Sequence, residues 1–383
     1  MRKKLRVGVV FGGRSVEHEV SLVSATSILN ALDREKYDIV PIGITKDGRW
    51  LSSAETIRLL KSGEIPDNEP ECVLVPDPTK QRLMRVNSES LEVSVDSSGV
   101  NRSPLDVIIP VLHGTYGEDG TIQGLFELAN IPYVGAGVLG SAAGMDKVIA
   151  KQLFERAGLP VTKYVWFHWD RYRVDSKSIL EMIEKKLRYP CFVKPANLGS
   201  SVGITKVHNA RELVAGIEQA ADFDRRILVE WGVKNARDIE CSVLGNDDPR
   251  ASILGEVVPS NEFYDYDAKY VDGKSETIIP AKLPRQLVLR IQKYAMAAFR
   301  AIDCAGMARV DFLVQKKTSK TYINEINTIP GFTSISIYPK LWEASGMPYP
   351  KLLDTLIELA LERHREKNRL KTTYRPKADW YRG

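Results

Sequence analysis

Short apolar runs cut off by glycine alternate with helical periods along the first third of the chain. Leu5–Phe11 is apolar and is stopped by Gly12-Gly13, the pattern of a buried strand feeding a turn. Asp38–Ile44 and Asp106–Leu112 repeat it, with helical patterns between or after them. Strands alternating with helices predict an α/β fold with a parallel sheet, whose ligands gather where the strands end in loops. Residues 60–105 are polar and weakly periodic, with short strands hinted near Val73 and Leu91, and are expected at the periphery.

Further on the periods change. Met145–Gly158 is helical and stops at Gly158, with Pro160 beyond. Strands are predicted at Val161–Phe167 and Cys191–Lys194 around a helix at Ser176–Leu187. A glycine-rich stretch at 199–203 leads to a short strand and a helix opened by Asn209. Arg226–Trp231, Asp238–Leu244 and Ala251–Val258 alternate in the manner of antiparallel strands. Asn261–Thr277 has no apolar period and is long enough to be a functional loop. A helix at Pro284–Ala301, strands at Met307–Val314 and Thr321–Ile326, and helices to about Arg365 complete the pattern, without an internal repeat.

At 383 residues the chain exceeds a single core, so two or three domains are expected. The net charge of +5 invites a nucleic-acid reading until it is located. Residues 363–383 carry eight Lys/Arg against two Asp/Glu, so the excess sits in one tail and the body is balanced. Such tails are mostly solvated extensions, and no nucleic-acid partner is expected. Cys72, Cys191, Cys241 and Cys304 are far apart and form no C-x-x-C pair, which fits a reducing compartment and neither zinc nor a disulfide framework. VGVVFGG is too short for a signal core, and no apolar run approaches a membrane span, so a cytoplasmic protein is expected.

Several stretches could carry chemistry. In Lys194-Pro-Ala-Asn-Leu-Gly199-Ser200-Ser201-Val-Gly203 a strand delivers a lysine into a small-residue loop, whose N–H groups could approach phosphate oxygens. A plain Gly/Ser hairpin turn suits the same residues. Arg309-Val-Asp311 and Asn324-Glu325-Ile-Asn327 lie on two strands, where side chains two apart share a face. Their oxygens suit Mg²⁺ beside substrate phosphates, and a salt-bridged polar face is the bland alternative. Pro330-Gly331 leaves that strand toward a helix, where exposed N–H groups could hold an oxyanion, or Ser336 could merely cap the helix. Gly12–Glu17 is a second strand-to-helix turn of the same ambiguity, and His113 at a strand's end suits catalysis and packing alike.

Two patterns mislead. Gly135-Ala-Gly137-Val-Leu-Gly140 satisfies G-x-G-x-x-G, but its preceding strand is only about Pro132–Val134 and no acidic residue lies about twenty positions on in the expected βαβ context. His18-Glu19 begins H-E-x-x-H, with Leu22 at the second histidine position.

Taken together, the chain from about Leu5 to Arg365 resembles the D-alanine–D-alanine ligase family within the ATP-grasp fold. The resemblance is carried by FGGRSVEHEVSL at 11–22, HGTYGEDGTIQG at 113–124, MDK at 145–147 and VKPANLGSSVG at 193–203. EFYDYDAKY at 262–270, RVDF at 309–312 and NEINTIPGFTSIS at 324–336 extend it. It implies an N-terminal α/β domain over 1–135 and two ATP-grasp lobes over 136–230 and 231–366, the second carrying a lid at 261–277. Residues 367–383 form a basic tail to which the family gives no role.

The resemblance also implies roles. Lys147, Lys194, Ser200 and Ser201 hold ATP phosphates, and Glu230 and Glu240 lie at adenine and ribose. Asp311, Glu325 and Asn327 bind two Mg²⁺ or Mn²⁺. Glu17 meets the ammonium of a first D-alanine, Ser336 the carboxylate of a second, and His113 the substrate site. Tyr270 closes a trio with Glu17 and Ser200, Lys269 reaches the transferred phosphate, and Arg309 and the Gly331 N–H stabilise the oxyanion. Tyr270 in an intact DYDAKY favours D-alanine over D-lactate as second substrate. A homodimer is expected. A non-catalytic ATP-binding scaffold on this fold need not keep oxyanion and metal groups together.

Overall fold

The computed structural model describes residues 3–86, 93–94, 104–258 and 276–374. Three sheets follow one another along the chain. The first uses β1 (Leu5–Gly12), β2 (Tyr37–Ile44), β3 (Trp50–Leu51), β4 (Glu71–Leu74), β5 (Leu83–Val86), β6 (Val93–Ser94) and β7 (Val107–Val111), in the order β6-β5-β4-β3-β2-β1-β7. β1 pairs in parallel with β2 and β7, as the alternation of strand and helix predicts. From β3 to β6 the pairing is antiparallel, so the stretch expected at the periphery extends the sheet at one edge. Helices α1 (His18–Ala31), α2 (Thr56–Ser62) and α3 (Thr121–Leu128) belong to this unit.

β1 is buried on both faces. Val7, Val9 and Phe11 pack toward Leu22, Ala25 and Ile28 of α1, while Val10 joins Ile42, Ile108 and Phe126 on the other side. Burial on both faces is why the strand reads as an unbroken apolar run rather than an alternation.

α4 (Val138–Met145) and α5 (Lys147–Arg156) lead to the second sheet. The single helix expected from Met145 is interrupted at Asp146, whose extended backbone and side chain cap α5 by accepting the N–H of Val148 and Ile149. The second sheet uses β8 (Tyr164–His168), β9 (Cys191–Pro195), β10 (Thr205–Val207) and β11 (Arg226–Trp231) in the order β10-β9-β11-β8, wholly antiparallel. Helices α6 (Trp169–Val174), α7 (Ser176–Lys186) and α8 (Ala210–Ala221) accompany it, and Asn209 caps α8 as expected. Val193, Ile227 and Val229 pack onto α7 and α8. Strand alternation turns Lys194 and Glu230 to the opposite face.

The third sheet uses β12 (Ala236–Gly245), β13 (Arg250–Val258), β14 (Glu276–Ile278), β15 (Gly306–Gln315) and β16 (Thr321–Asn327) in the order β14-β13-β12-β15-β16. α9 (Arg285–Ala301) covers one face through Ile291, Ala295 and Phe299 against Val310, Phe312 and Ile323. Along β15 the alternate residues Arg309, Asp311 and Leu313 face away from that core. Thr277, the last residue of the expected lid, lies in β14, paired with Val257. α10 (Ile337–Ala344) and α11 (Tyr349–Lys367) end the described fold. Leu353, Leu356 and Ile357 of α11 share a core with Val7, Val9 and Phe11, so the chain returns to its first sheet. Lys367 of the expected tail belongs to α11 and pairs with Glu127.

Candidate active site

A cleft of about 880 Å³ opens between the second and third sheets, with loops of the first unit at one end. Glu17, His113, Lys147, Lys194, Ser200, Ser201, Glu230, Glu240, Arg309, Asp311, Glu325, Asn327, Gly331 and Ser336 all line it. Lys269 and Tyr270, with residues 261–275 of the expected lid, lie outside the described residues.

Three adjacent strands build the acidic wall. In register, Glu240 of β12 lies beside Asp311 of β15, which lies beside Glu325 of β16, while Arg309 lies beside Asn327. Arg309 grips Asp311 with two bonds, Nε to Oδ1 and Nη2 to Oδ2, each 2.7 Å. Its Nε also lies 2.9 Å from Glu240 Oε2. Asn327 donates its amide nitrogen to Asp311 Oδ2 at 3.1 Å, which leaves the amide oxygen as the atom for a cation. Three carboxylates and one guanidinium thus meet on this wall. Among the described residues no three His, Cys, Asp or Glu side chains form a ready-made metal cage. Two carboxylates and one amide oxygen do suit a hard cation that takes its remaining ligands from water and phosphate.

The opposite wall is basic. Lys194 and Lys151 both bond to Glu230, one to each carboxylate oxygen, and the Thr162 hydroxyl donates to Oε2 at 2.8 Å. Burial pushes the Glu230 carboxyl up, but attraction to Lys151 and Lys194 outweighs it and holds the group well below the usual range. Lys147, at the start of α5, donates to Leu198 O at 2.5 Å and so ties the glycine-rich loop to the helix. Ser200 and Ser201 both adopt left-handed backbone, with φ of 49° and 60°.

The end of the cleft is assembled from distant segments. Ser200 donates to Glu17 Oε1. The Glu17 carboxylate lies against Gly114, where a Cβ would come within 2.6 Å of Oε2, and against Gly199, where the conflict is tighter still. Both glycines are needed because the backbone must approach the carboxylate closely. His113 binds Ile329 O through Nδ1 at 3.1 Å, and Ser24 Oγ lies 3.2 Å from Nε2. A carbonyl can only accept, so the proton sits on Nδ1 and Nε2 accepts from the serine. Burial lowers the His113 pKa, which keeps the ring neutral.

Glu118 completes this end and was missed from sequence. Its two oxygens accept the N–H of Gly114 at 2.8 Å and of Ile329 at 3.2 Å, pinning the 113–118 loop to the 328–333 loop. Burial first and the neighbouring Glu17 second push its carboxyl up to about 8. It lies within HGTYGEDG, a motif noted without a role for this residue. Ser24, which also accepts the Phe332 N–H at 3.3 Å, gave no signal beyond its place on α1. Lys151, one helical turn after Lys147, could have been found from that spacing.

Gly331 lies against Ser336, whose Oγ would be 2.7 Å from an added Cβ. Ser336 is the N-cap residue of α10, yet its hydroxyl accepts the Thr333 N–H at 3.0 Å and makes no bond to the helix amides. Ser336 therefore holds the N-cap position, as that alternative has it, but without a side-chain bond to the helix. The two misleading motifs are structural: Gly135 and Gly140 pack against Gly306 and Asp303, and buried His18 bonds to Gly13 O at 2.8 Å.

Family comparisons agree with this geometry. Residues 6–136 match the D-ala D-ala ligase N-terminus and residues 153–358 the D-ala D-ala ligase C-terminus. The chain is 50% identical over 375 residues to a D-alanine–D-alanine ligase of Acetivibrio thermocellus, covering 96% of this chain and 98% of the relative. Among solved structures, the VanG D-Ala:D-Ser ligase of Enterococcus faecalis superposes with a TM-score of 0.81 at 36% identity, covering 94% of this chain and 100% of that one. The D-alanine-D-alanine ligase of Coxiella burnetii superposes with a TM-score of 0.79 at 37% identity, covering 96% of each chain.

Proposed function

The chain belongs to the D-alanine–D-alanine ligase family, and from that premise we propose how its cleft joins two D-alanine molecules at the expense of ATP, a step toward peptidoglycan. The observation that carries the reading is the meeting of a basic wall, an acidic wall and a buried carboxylate in one cleft.

A carboxylate is a poor electrophile, so the first D-alanine is activated by attack of its oxygen on the γ-phosphorus, with ADP leaving. Glu17, held by Ser200, takes the ammonium of that D-alanine and fixes its carboxylate toward the phosphates. Lys147, Lys194 and the 199–203 loop position the phosphates, and Glu240 lies on the ribose side of the cleft. Glu230 lines the adenine side, its carboxylate engaged by two lysines. Two Mg²⁺ or Mn²⁺ held by Asp311, Glu325 and Asn327 would supply charge neutralisation at phosphate oxygens. The amine of the second D-alanine, its carboxylate at Ser336, then attacks the acyl carbon. Arg309 and the Gly331 N–H stabilise the tetrahedral oxyanion, phosphate leaves, and a proton is released. The neutral His113 donates to Ile329 O and so holds the Gly331 turn in place.

An acyl phosphate hydrolyses in open water, so a cover is chemically required, and segment 261–277 with Lys269 and Tyr270 is assigned that task. We place the domain divisions at 135, 230 and 366; the second falls within β11, one residue before its end, and the third one residue before the end of α11. A cytoplasmic homodimer is the expected form, and gel filtration with light scattering tests the oligomer. No helix among the described residues is long and apolar enough to cross a membrane.

The test is ADP and phosphate release with Mg-ATP and D-alanine, L-alanine, D-lactate or no substrate, with product masses determined. Release with D-alanine and a dipeptide mass is expected. Release with no dipeptide points to another nucleophile, and no release overturns the catalytic reading. Chelation of divalent cations should abolish release without unfolding the chain.

A further inference from the structure

Lys151 has no place in the roles above, and it does not line the cleft. Its side chain is nevertheless 2% exposed, among the largest fully buried side chains of the protein. An ammonium is costly to bury unless it is matched closely. Its match is Glu230, 3% exposed, whose Oε2 lies 2.8 Å from Lys151 Nζ and also accepts from Thr162. The other oxygen, Oε1, binds Lys194. Two lysines therefore share one carboxylate, and the cluster carries one positive charge in excess.

Only one of the two lysines opens onto the cleft. Lys194 projects from β9 and reaches Asn324 Oδ1 at 3.4 Å on the opposite wall. Lys151 approaches Glu230 from behind, from α5, over the Tyr164 ring. Without Lys151, the Glu230 charge would fall wholly on Lys194, and the pair facing the phosphates would be neutral.

We propose that Lys151 is a positioning residue for ATP: it neutralises Glu230 from within the fold, so that Lys194 presents an uncompensated positive charge to the nucleotide phosphates. Lys151 acts through Glu230 and touches no substrate. The inference rests on the reading of this cleft as an ATP site.

The experiment compares equilibrium binding of Mg-ATP and of adenosine to the native chain, Lys151→Met, Glu230→Gln and the double variant. Adenosine lacks the phosphates, so the ratio of ATP to adenosine affinity isolates the phosphate contribution, whatever Glu230 does at the base. Lys151→Met is expected to lower that ratio by about tenfold or more, as for the loss of one unit charge of attraction for phosphate in a partly enclosed site. The KM for ATP should rise with it, and that for D-alanine should not. In the double variant Lys194 again has no carboxylate to answer, and the ratio should return toward native. An unchanged ratio in Lys151→Met, or a double variant as defective as the single, would overturn the inference in favour of mere packing. Should Lys151→Met fail to fold, the double variant decides, since it removes the deep ammonium together with the carboxylate it faced and leaves charged only Lys194, which opens onto the cleft: a near-native ratio supports the inference and a depressed one overturns it. A native chain that binds adenosine and ATP equally would overturn the ATP reading of the cleft, and this inference with it.

Discussion

Replacing Arg309 with alanine separates the proposed catalytic use of one side chain from its structural use. Arg309 makes two charge-assisted bonds to Asp311 at 2.7 Å each and lies 2.9 Å from Glu240. Such bonds contribute on the order of 1.5–3 kcal/mol each when enclosed. This side chain keeps 19% of its surface open to the cleft, so solvent screening reduces the pair to about 2 kcal/mol of stability. A loss of that size is small against the roughly 5–15 kcal/mol of an ordinary domain, so the variant is expected to stay folded, which the melt checks. Turnover should fall much further, by roughly 10²–10³-fold, because a donor aimed at the developing oxyanion is removed. The remaining carboxylates Glu240, Asp311 and Glu325 should draw divalent cations more strongly, so Mg²⁺ activation should occur at lower concentration. The measurements are kcat and KM from ADP release, Mg-ATP affinity by calorimetry, and a thermal melt. Intact nucleotide affinity with a collapsed kcat is the expected signature. Near-normal turnover, or a loss of affinity that accounts for the whole rate loss, would refute the oxyanion role.

Gly199→Ala should force the Glu17 carboxylate from its seat, raising the D-alanine KM by about tenfold or more. Gly124→Ala, whose new methyl meets open space, is the control, and equal KM changes in both would defeat the argument. Glu118 is expected to make stability depend on pH. Its carboxyl is raised to about 8 in the fold, so the folded chain keeps a proton that the unfolded chain releases near the ordinary value of 4.5. Its contribution is present below that value and lost as pH rises toward 8, so Glu118→Gln should flatten this part of the stability profile. An equal slope in both proteins, from denaturant melts across the range, would count against it. Tyr270→Phe should shift the ratio of dipeptide to D-alanyl-D-lactate more than it shifts the melting temperature, and an unchanged ratio would remove Tyr270 from nucleophile choice.

Much of this organisation is legible in the sequence, for reasons that particular elements make plain. β1 and β7 announce themselves because both are buried through their length, and β15 because its alternate residues divide between core and cleft. The break at Asp146 was hidden, since apolar residues on both sides keep a helical period across it, although an aspartate is a standard helix opener. The antiparallel edge from β3 to β6 was illegible because pairs such as Leu51 with Glu71 depend on partners brought together only in the fold. Lys194 was readable from its loop and Glu230 only through the family resemblance, and their shared cluster with Lys151 was not readable at all. That cluster depends on how α5 packs beneath the second sheet.

The least legible contacts join the first unit to the third. Glu118 meets Ile329 across 211 positions, His113 meets the same residue's carbonyl, and Ser24 meets Phe332 across 308. Each is a side chain of the first unit bonded to backbone of the turn that carries Gly331, so sequence around the turn cannot specify them. Three such bonds join Pro330, the Thr333–Ser336 bond and the Tyr349 hydroxyl on Phe332 O in fixing the loop that leaves β16. Pre-organised donors stabilise a developing charge because they do not reorganise when it forms, so a loosely held turn would forfeit much of its effect. In the proposed mechanism the first unit therefore does more than seat D-alanine at Glu17. By gripping both sides of the 328–333 loop it would set the proposed oxyanion donor relative to Glu17, and register the two substrates against one frame.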